Sequence, residues 1–179
     1  MNKKGDVIEV DITDFSTDGE GIGKTDAFTW FIKDSVIGDR VRAVVMKTKK
    51  SYGYARVVEI LKESKDRVEL RCPVARPCGS CTLQSVSYRA QLAFKQNKVI
   101  NNLIRLGGFS REALEEVEIA PIIGMKEPWH YRNKAQYPIG TDREGNLIAG
   151  FYAGRTHSII PWTNCLLGQK KNQIILETI

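Results

Sequence analysis

The sequence predicts an α+β protein: a small β-barrel near residues 1–60, then a mixed α+β region over residues 61–179. Two observations predict the first part. Short runs rich in β-branched and aromatic residues crowd it, and turn-forming segments separate them. The second part is read from one long run with helical spacing, after which strand-like runs return.

The strand candidates are "VIEVDITDF", "AFTWFIK", "RVRAVVMKTKK" and "YARVVEIL", separated by "STDGEGIGKTD" and "DSVIGD". Four or five strands in so short a span predict closure, because a small open sheet would leave unpaired edges. "GEGIG" reads as a glycine-rich hairpin. A phosphate loop would open onto a helix, and a strand follows here.

A charged connector, "LKESKDRVELR", leads to "RCPVARPCGSC". The next segment, "TLQSVSYRAQLAFKQNKVINNLIRLGG", reads as the clearest helix. Leu92, Val99, Leu103 and Leu106, with Ile100, form an apolar stripe expected to pack in a core, and Gly107-Gly108 is the stop signal. Strands are then expected in "VEIAPIIG", "WHYRNKAQYPIG" and "LIAGFYAGRTHSII", the last two as a long hairpin bending over Asp142 to Asn146. "KKNQIILETI" resembles the opening of a helix with no room to develop.

With 42% hydrophobic and 27% charged residues the composition is that of a soluble protein. "MNKKGDVIEV" lacks a secretory signal, and no run approaches the roughly 18 apolar residues of a membrane span. A cytoplasmic, monomeric protein with no membrane partner is expected. The net charge of +6 and pI near 9.2 are compatible with a polyanionic partner. Residues 1–60 hold 10 Lys and Arg against 10 Asp and Glu, so residues 61–179 supply the whole excess.

Three of the four cysteines, Cys72, Cys78 and Cys81, fall in one proline-stiffened loop, and Cys165 can add a remote fourth ligand. Cytosolic thiols stay reduced, which argues for metal over disulfides. Zinc accepts four thiolates but is usually held by two C-x2-C knuckles, and the second is missing. Iron-sulfur cubanes also take four thiolates, commonly three close and one distant. Spacing favours the cluster and leaves zinc and metal-free thiols open. His130 and His157, the only histidines, have no partner at ligand spacing and read as structural or as minor RNA contacts.

"KTKKSYGYAR" sets Lys47, Lys49 and Lys50 beside Tyr52, Tyr54 and Arg56. On a strand, positions 50, 52, 54 and 56 share a face, so two rings would lie between positive ends and could stack bases while neutralising phosphates. The competing arrangement turns the tyrosines into the barrel and leaves the lysines in water. In "YRNKAQ", alternation would put Arg132, Lys134 and Gln136 on one face, with Asn133 between them; guanidinium and amide groups suit phosphate and base edges.

"CPVARPCGSCTLQSVSYRAQLAFKQNKV", with Tyr88, Gln91, Leu92 and Lys95 on its helix, resembles the cysteine loop and following helix of bacterial 23S ribosomal RNA (uracil-C5)-methyltransferases. "WHYRNKAQYPIG" and "GFYAGRTHSIIPWTNC" resemble that family's Y-R-N-K-x-Q element and the stretch carrying its fourth cysteine. The first sixty residues are similar to its TRAM domain, an OB-like barrel. The resemblance implies a 4Fe-4S cluster on Cys72, Cys78, Cys81 and Cys165, structural rather than electron-transferring, within an RNA-recognising platform. It also implies a C-terminal domain, in cis or in trans, that binds S-adenosylmethionine and carries the nucleophilic cysteine and base. None of that domain is recognisable in these residues, and all four cysteines are assigned to the cluster. No catalytic residue is therefore expected: the chain should bind RNA, ribosomal by resemblance, without methylating it alone. The rival readings are a stand-alone RNA-binding protein stabilised by zinc and an iron-sulfur redox protein.

Overall fold

The structure is a computed structural model and describes residues 2–154 and 156–178. The chain divides into two compact units, Met1–Val68 with Ser85–Gly124, and Glu69–Gln84 with Met125–Ile179.

In the first unit, β1 (Val7–Phe15), β2 (Gly21–Thr25), β3 (Phe28–Lys33), β4 (Arg40–Thr48) and β5 (Tyr52–Lys62) close a barrel in the order β1-β2-β3-β5-β4. All neighbours are antiparallel except β3 and β5. The period-two pattern decides what points inward. Ile8, Val10 and Ile12 of β1 meet Trp30, Ile32, Val41, Ala43, Val45 and Ala55 in the core, while Val7, Glu9 and Asp11 face solvent.

Strand β2 lies inside the glycine-rich stretch read as a turn. Its glycines are demanded by packing: a Cβ at Gly21 would come within 2.0 Å of Ser35 Oγ, and one at Gly23 within 2.2 Å of Val10 Cγ1. The expected hairpin is β2–β3.

Asp39 anchors the chain as it leaves the barrel. Its carboxylate is fully buried and accepts from Val36 N at 2.6 Å, Ser64 N at 2.9 Å and Arg67 Nε at 3.2 Å. The Arg67 side chain, 10% exposed, pairs with it and also donates to the Asp34 carbonyl. Every lone pair of the buried charge is thus occupied, as burial requires.

The same unit carries α1 (Tyr88–Arg105) and α2 (Arg111–Glu115). Ser87 caps α1, accepting from Ala90 N at 3.3 Å. At the other end Leu106 and Gly107 both donate to Asn102 O, and Gly108 takes φ 73, the left-handed conformation that favours glycine. The apolar stripe of α1 is not core, however. No residue of α1 is buried; Val99 is 58% exposed and Leu106, just beyond its end, 82%. Residues 117–124 form no strand.

The second unit holds a three-stranded antiparallel sheet, β6 (Ile139–Thr141), β7 (Leu147–Tyr152) and β8 (Ile159–Pro161), and α3 (Lys170–Thr178), a helix that does develop. The β6–β7 bend falls where expected: Asp142 accepts from the backbone N–H groups of Glu144 and Asn146, each at 2.9 Å. Its first strand is short, because the residues before Ile139 form a single isolated bridge, Arg132 with Gly168. Among the described residues no helix is long and apolar enough to cross a membrane.

Candidate functional site

The outer face of the barrel follows from the inner one. Gly53 and Ala55 of β5 are buried, so Tyr52, Tyr54 and Arg56 turn outward. Parallel pairing sets Thr29, Phe31 and Lys33 of β3 beside Tyr52, Tyr54 and Arg56, and antiparallel pairing sets Lys47 beside Tyr54. Three rings therefore meet. Phe31 lies 5.7 Å from Tyr52, nearly perpendicular, and 5.5 Å from Tyr54, tilted by 30°; the two tyrosines are 5.7 Å apart. All three are half-buried against one another, and Lys33, Lys47, Lys49, Lys50 and Arg56 around them are exposed. Lys49 and Lys50 sit where β4 turns into β5, held by a Lys49 N to Tyr52 O hydrogen bond of 2.8 Å.

Phe31 is the member that sequence reasoning missed. The signal was available: in "TWFIK" the inward pair is Trp30 and Ile32, which leaves Phe31 outside. Aromatic faces ringed by ammonium and guanidinium groups suit stacked bases and their phosphates.

In the second unit the cysteine loop is shaped by its own backbone. Ala75 N donates to Cys72 O and Cys78 N to Val74 O, while Gln84 Oε1 accepts from Cys72 N at 2.9 Å. Gly79 N reaches Tyr152 O, and a Cβ at Gly79 would stand 2.9 Å from Gly154 Cα, so only glycine allows this approach to the end of β7. Cys165 follows β8 in a turn closed by Gly168 N donating to Cys165 O.

All four thiols are free and line one apolar cavity of about 20 Å3 with Phe151 and Trp162. Cys72 and Cys78 are buried, and Cys81 and Cys165 partly so. Burial pushes the Cys81 thiol up to about 11, with the neighbouring Cys78, Cys165 and Cys72 adding to the rise and Arg132 opposing it. Burial likewise raises Cys72, and Cys165 and Cys78 contribute. The neighbouring sulfurs thus lie close enough to Cys72 and Cys81 to oppose the ionisation of those two thiols. Among the described residues, though, no group of three or more His, Cys, Asp or Glu is arranged to hold a metal ion.

The alternation argued for Arg132, Lys134 and Gln136 needs a strand, and these residues lie in irregular backbone. Arg132 is half-buried, with its N–H on Leu167 O, whereas Asn133, Lys134 and Gln136 are exposed. His130 takes φ 55 and its Nδ1 lies 2.8 Å from Gly168 O, which locks the ring in place. His157 packs edge-on against Tyr152 at 5.4 Å. Arg71 stacks over Trp129, 5.1 Å from the ring centre.

Residues 2–58 match the family described as the TRAM domain. The barrel is similar to that domain. The whole chain is also similar to longer proteins. It is 46% identical over 176 residues to an uncharacterized RNA methyltransferase of Halalkalibacterium halodurans, and 43% identical over 175 residues to one of Clostridium acetobutylicum. These alignments cover 98% and 97% of this chain but 37% of each relative. The chain thus spans little more than a third of the curated relatives it matches. Among solved structures, the Pyrococcus abyssi tRNA (uracil-54, C5)-methyltransferase bound to S-adenosyl-L-homocysteine overlaps 94% of this chain with a TM-score of 0.55 at 22% identity, covering 35% of that enzyme. That likeness shows the fold. The chain is thus similar over its barrel to the TRAM domain, and over nearly its whole length to part of proteins named RNA methyltransferases.

Proposed function

We propose that this chain is the RNA-recognising part of a uracil-C5 methyltransferase acting on ribosomal RNA, with its TRAM domain holding single-stranded RNA. The observation that carries the reading is the outward cluster of Phe31, Tyr52 and Tyr54 ringed by Lys33, Lys47 and Arg56. The names of the relatives support the enzyme class. Base-on-ring stacking is worth roughly 1–3 kcal/mol per base. F31A and the pair Y52A/Y54A should therefore weaken binding of fluorescent single-stranded RNA by about five- to a hundredfold. Unchanged anisotropy titrations would refute the reading. The chain alone is expected to transfer no methyl group.

The second part of the proposal is that Cys72, Cys78, Cys81 and Cys165 hold a 4Fe-4S cluster. The donor set supports it: four thiols share one apolar cavity and no carboxylate competes there. Such a cluster, when bound, supplies iron-thiolate bonds that tie the loop to the segment after β8. Holding it requires the thiol side chains to swing outward from a space now about 20 Å3 across its whole volume. The other residues of the site act as scaffold: Gln84 fixes the Cys72 amide, Gly79 admits the end of β7, and Arg132 lends positive charge near Cys81. In the longer enzyme, S-adenosylmethionine and the reacting groups belong to the remaining part.

A further inference from the structure

We propose that a second RNA site lies on the first unit, in the cleft between the end of β1 and α1, and that it takes one nucleotide of a single-stranded RNA. The cleft is about 340 Å3, within the range of small-ligand sites of roughly 300–1,000 Å3. This inference rests on the RNA-binding reading above and names a subsite on different residues from the aromatic face.

Its floor is apolar. Phe15, Val36 and Val86 are buried, and Phe94 meets Phe15 edge-on with ring centres 5.2 Å apart. Ala90 and Ala93 keep the near side of α1 low. The rim is polar and basic: Asn97, Asn101 and Asn102 on one side of α1, Arg105 one turn on, and Lys65 from the connector. Positions 97, 101 and 105 recur every four residues, so they stand in one row along the helix. An apolar slot with amide and cationic edges matches a base, which offers two apolar faces and hydrogen-bonding edges, followed by its phosphate.

Four other charged residues line the cleft: Asp14, whose Oδ1 accepts from Phe15 N at 2.8 Å, and Asp66, Arg89 and Lys98. Asp66 is held by Arg89 at 3.1 Å and by Ser87, and Lys98 donates to the Thr17 carbonyl at 2.9 Å. The Asp66 contacts tie the start of α1 to the connector after β5, and Lys98 ties the middle of α1 to the segment after β1, on two sides of the cleft. Asn97, Asn101 and Arg105 take no part in that bracing. Asparagine is also a poor choice for a helix interior, because its amide competes with the backbone. Three within six residues, at 97, 101 and 102, cost α1 stability where alanine would not. Amides lining a cleft that takes a base give that cost a use.

The test uses the full chain and short homopolymeric single-stranded RNAs of each base. N97A/N101A should lower affinity roughly tenfold for the preferred homopolymer and flatten the differences among the four, the signature of lost base reading. R105A should weaken all four alike and reduce the salt dependence by about one phosphate contact. Because alanine is the better helix former, far-UV circular dichroism and the thermal midpoint should hold or rise, which separates lost contacts from lost fold. Wild-type affinities and preferences in these variants, with the F31A loss intact, would overturn the cleft and leave the proposed function standing. No RNA binding by the wild type would overturn both. Free mononucleotides competing as well as the oligomers would overturn the assignment to a strand.

Discussion

The substitution G53A tests how the barrel presents its aromatic face. Gly53 points inward between the outward Tyr52 and Tyr54, and a Cβ there would stand 2.3 Å from Trp30 Cζ3, 2.7 Å from Cε3 and 3.1 Å from Lys47 O. Ordinary carbon contacts lie at about 3.5–4.0 Å, so the indole must retreat by more than about 1 Å. It has little room: Trp30 is 1% exposed, its ring centre is 4.8 Å from that of Phe28, and its Nε1 donates to Thr25 Oγ1 at 2.8 Å. Overpacking of this kind costs about 1–3 kcal/mol, and loss of the indole hydrogen bond adds about 1. Replacing glycine in a strand returns about 0.5–1 kcal/mol of chain entropy. The expected net loss is about 1–3 kcal/mol, read by urea denaturation followed by far-UV circular dichroism. W30F makes space for the methyl group, so W30F/G53A should cost at least about 1 kcal/mol less than the sum of the single changes. A G53A barrel within about 0.5 kcal/mol of wild type, or an additive cycle, would refute the close approach of β5 to Trp30.

Two further outcomes are expected. D39A removes the partner of a guanidinium that is only 10% exposed, and should cost about 3–5 kcal/mol in urea denaturation; adding R67A should recover part of that loss. If the proposed cluster is present, C165S purified without oxygen should lose the broad visible absorption and bound sulfide that the wild type then shows, while the barrel keeps its thermal transition; a brown C165S protein with full iron content would remove Cys165 from the proposed ligand set.

The barrel was legible wherever side chains carried the pattern. β1, β3, β4 and β5 announce themselves through alternating Val, Ile and aromatic residues. β2 did not, because the same tight packing that makes it a strand demands glycine at positions 21 and 23, and glycine reads as a turn. The helix after the cysteines was legible from its spacing and its stop, yet its apolar stripe promised burial that Val99 and Leu106 do not have. Periodicity reports which residues share a face, and says nothing of what covers that face. "VEIAPIIG" and "WHYRNKAQ" failed as strands although their composition favours pairing. Pro121 removes a ladder donor from the first, and the second spends its N–H groups at His130 and Arg132 on Leu166 and Leu167, outside any sheet. At the candidate RNA face, Tyr52, Tyr54 and Arg56 were found because they lie together in sequence. Phe31 was not, because only the β3–β5 pairing brings it alongside.

The second unit shows why four thiols belong where they are. Its residues number on the order of 70, a size at which an apolar core alone seldom suffices and natural folds add a disulfide or a metal. Among the described residues its buried hydrophobic side chains are Cys72, Ala75, Cys78 and Phe151, two of them thiols. The barrel, by contrast, buries Trp30, Ile32, Val41 and Val45 to 1% exposure or less and needs no such help. The loop 72–81 is held by turns, one glutamine and a glycine contact. Disulfides would close the unit in pairs, but all four cysteines are free and line a common cavity. A centre that takes four thiolates at once would join the loop to the segment after β8 through every one of them. It would also offset the burial that, with a smaller contribution from the neighbouring sulfurs, raises the Cys72 and Cys81 thiols. On the proposed ligand set, the cluster would act by tying the loop to the segment after β8, a structural contribution that needs no electron transfer.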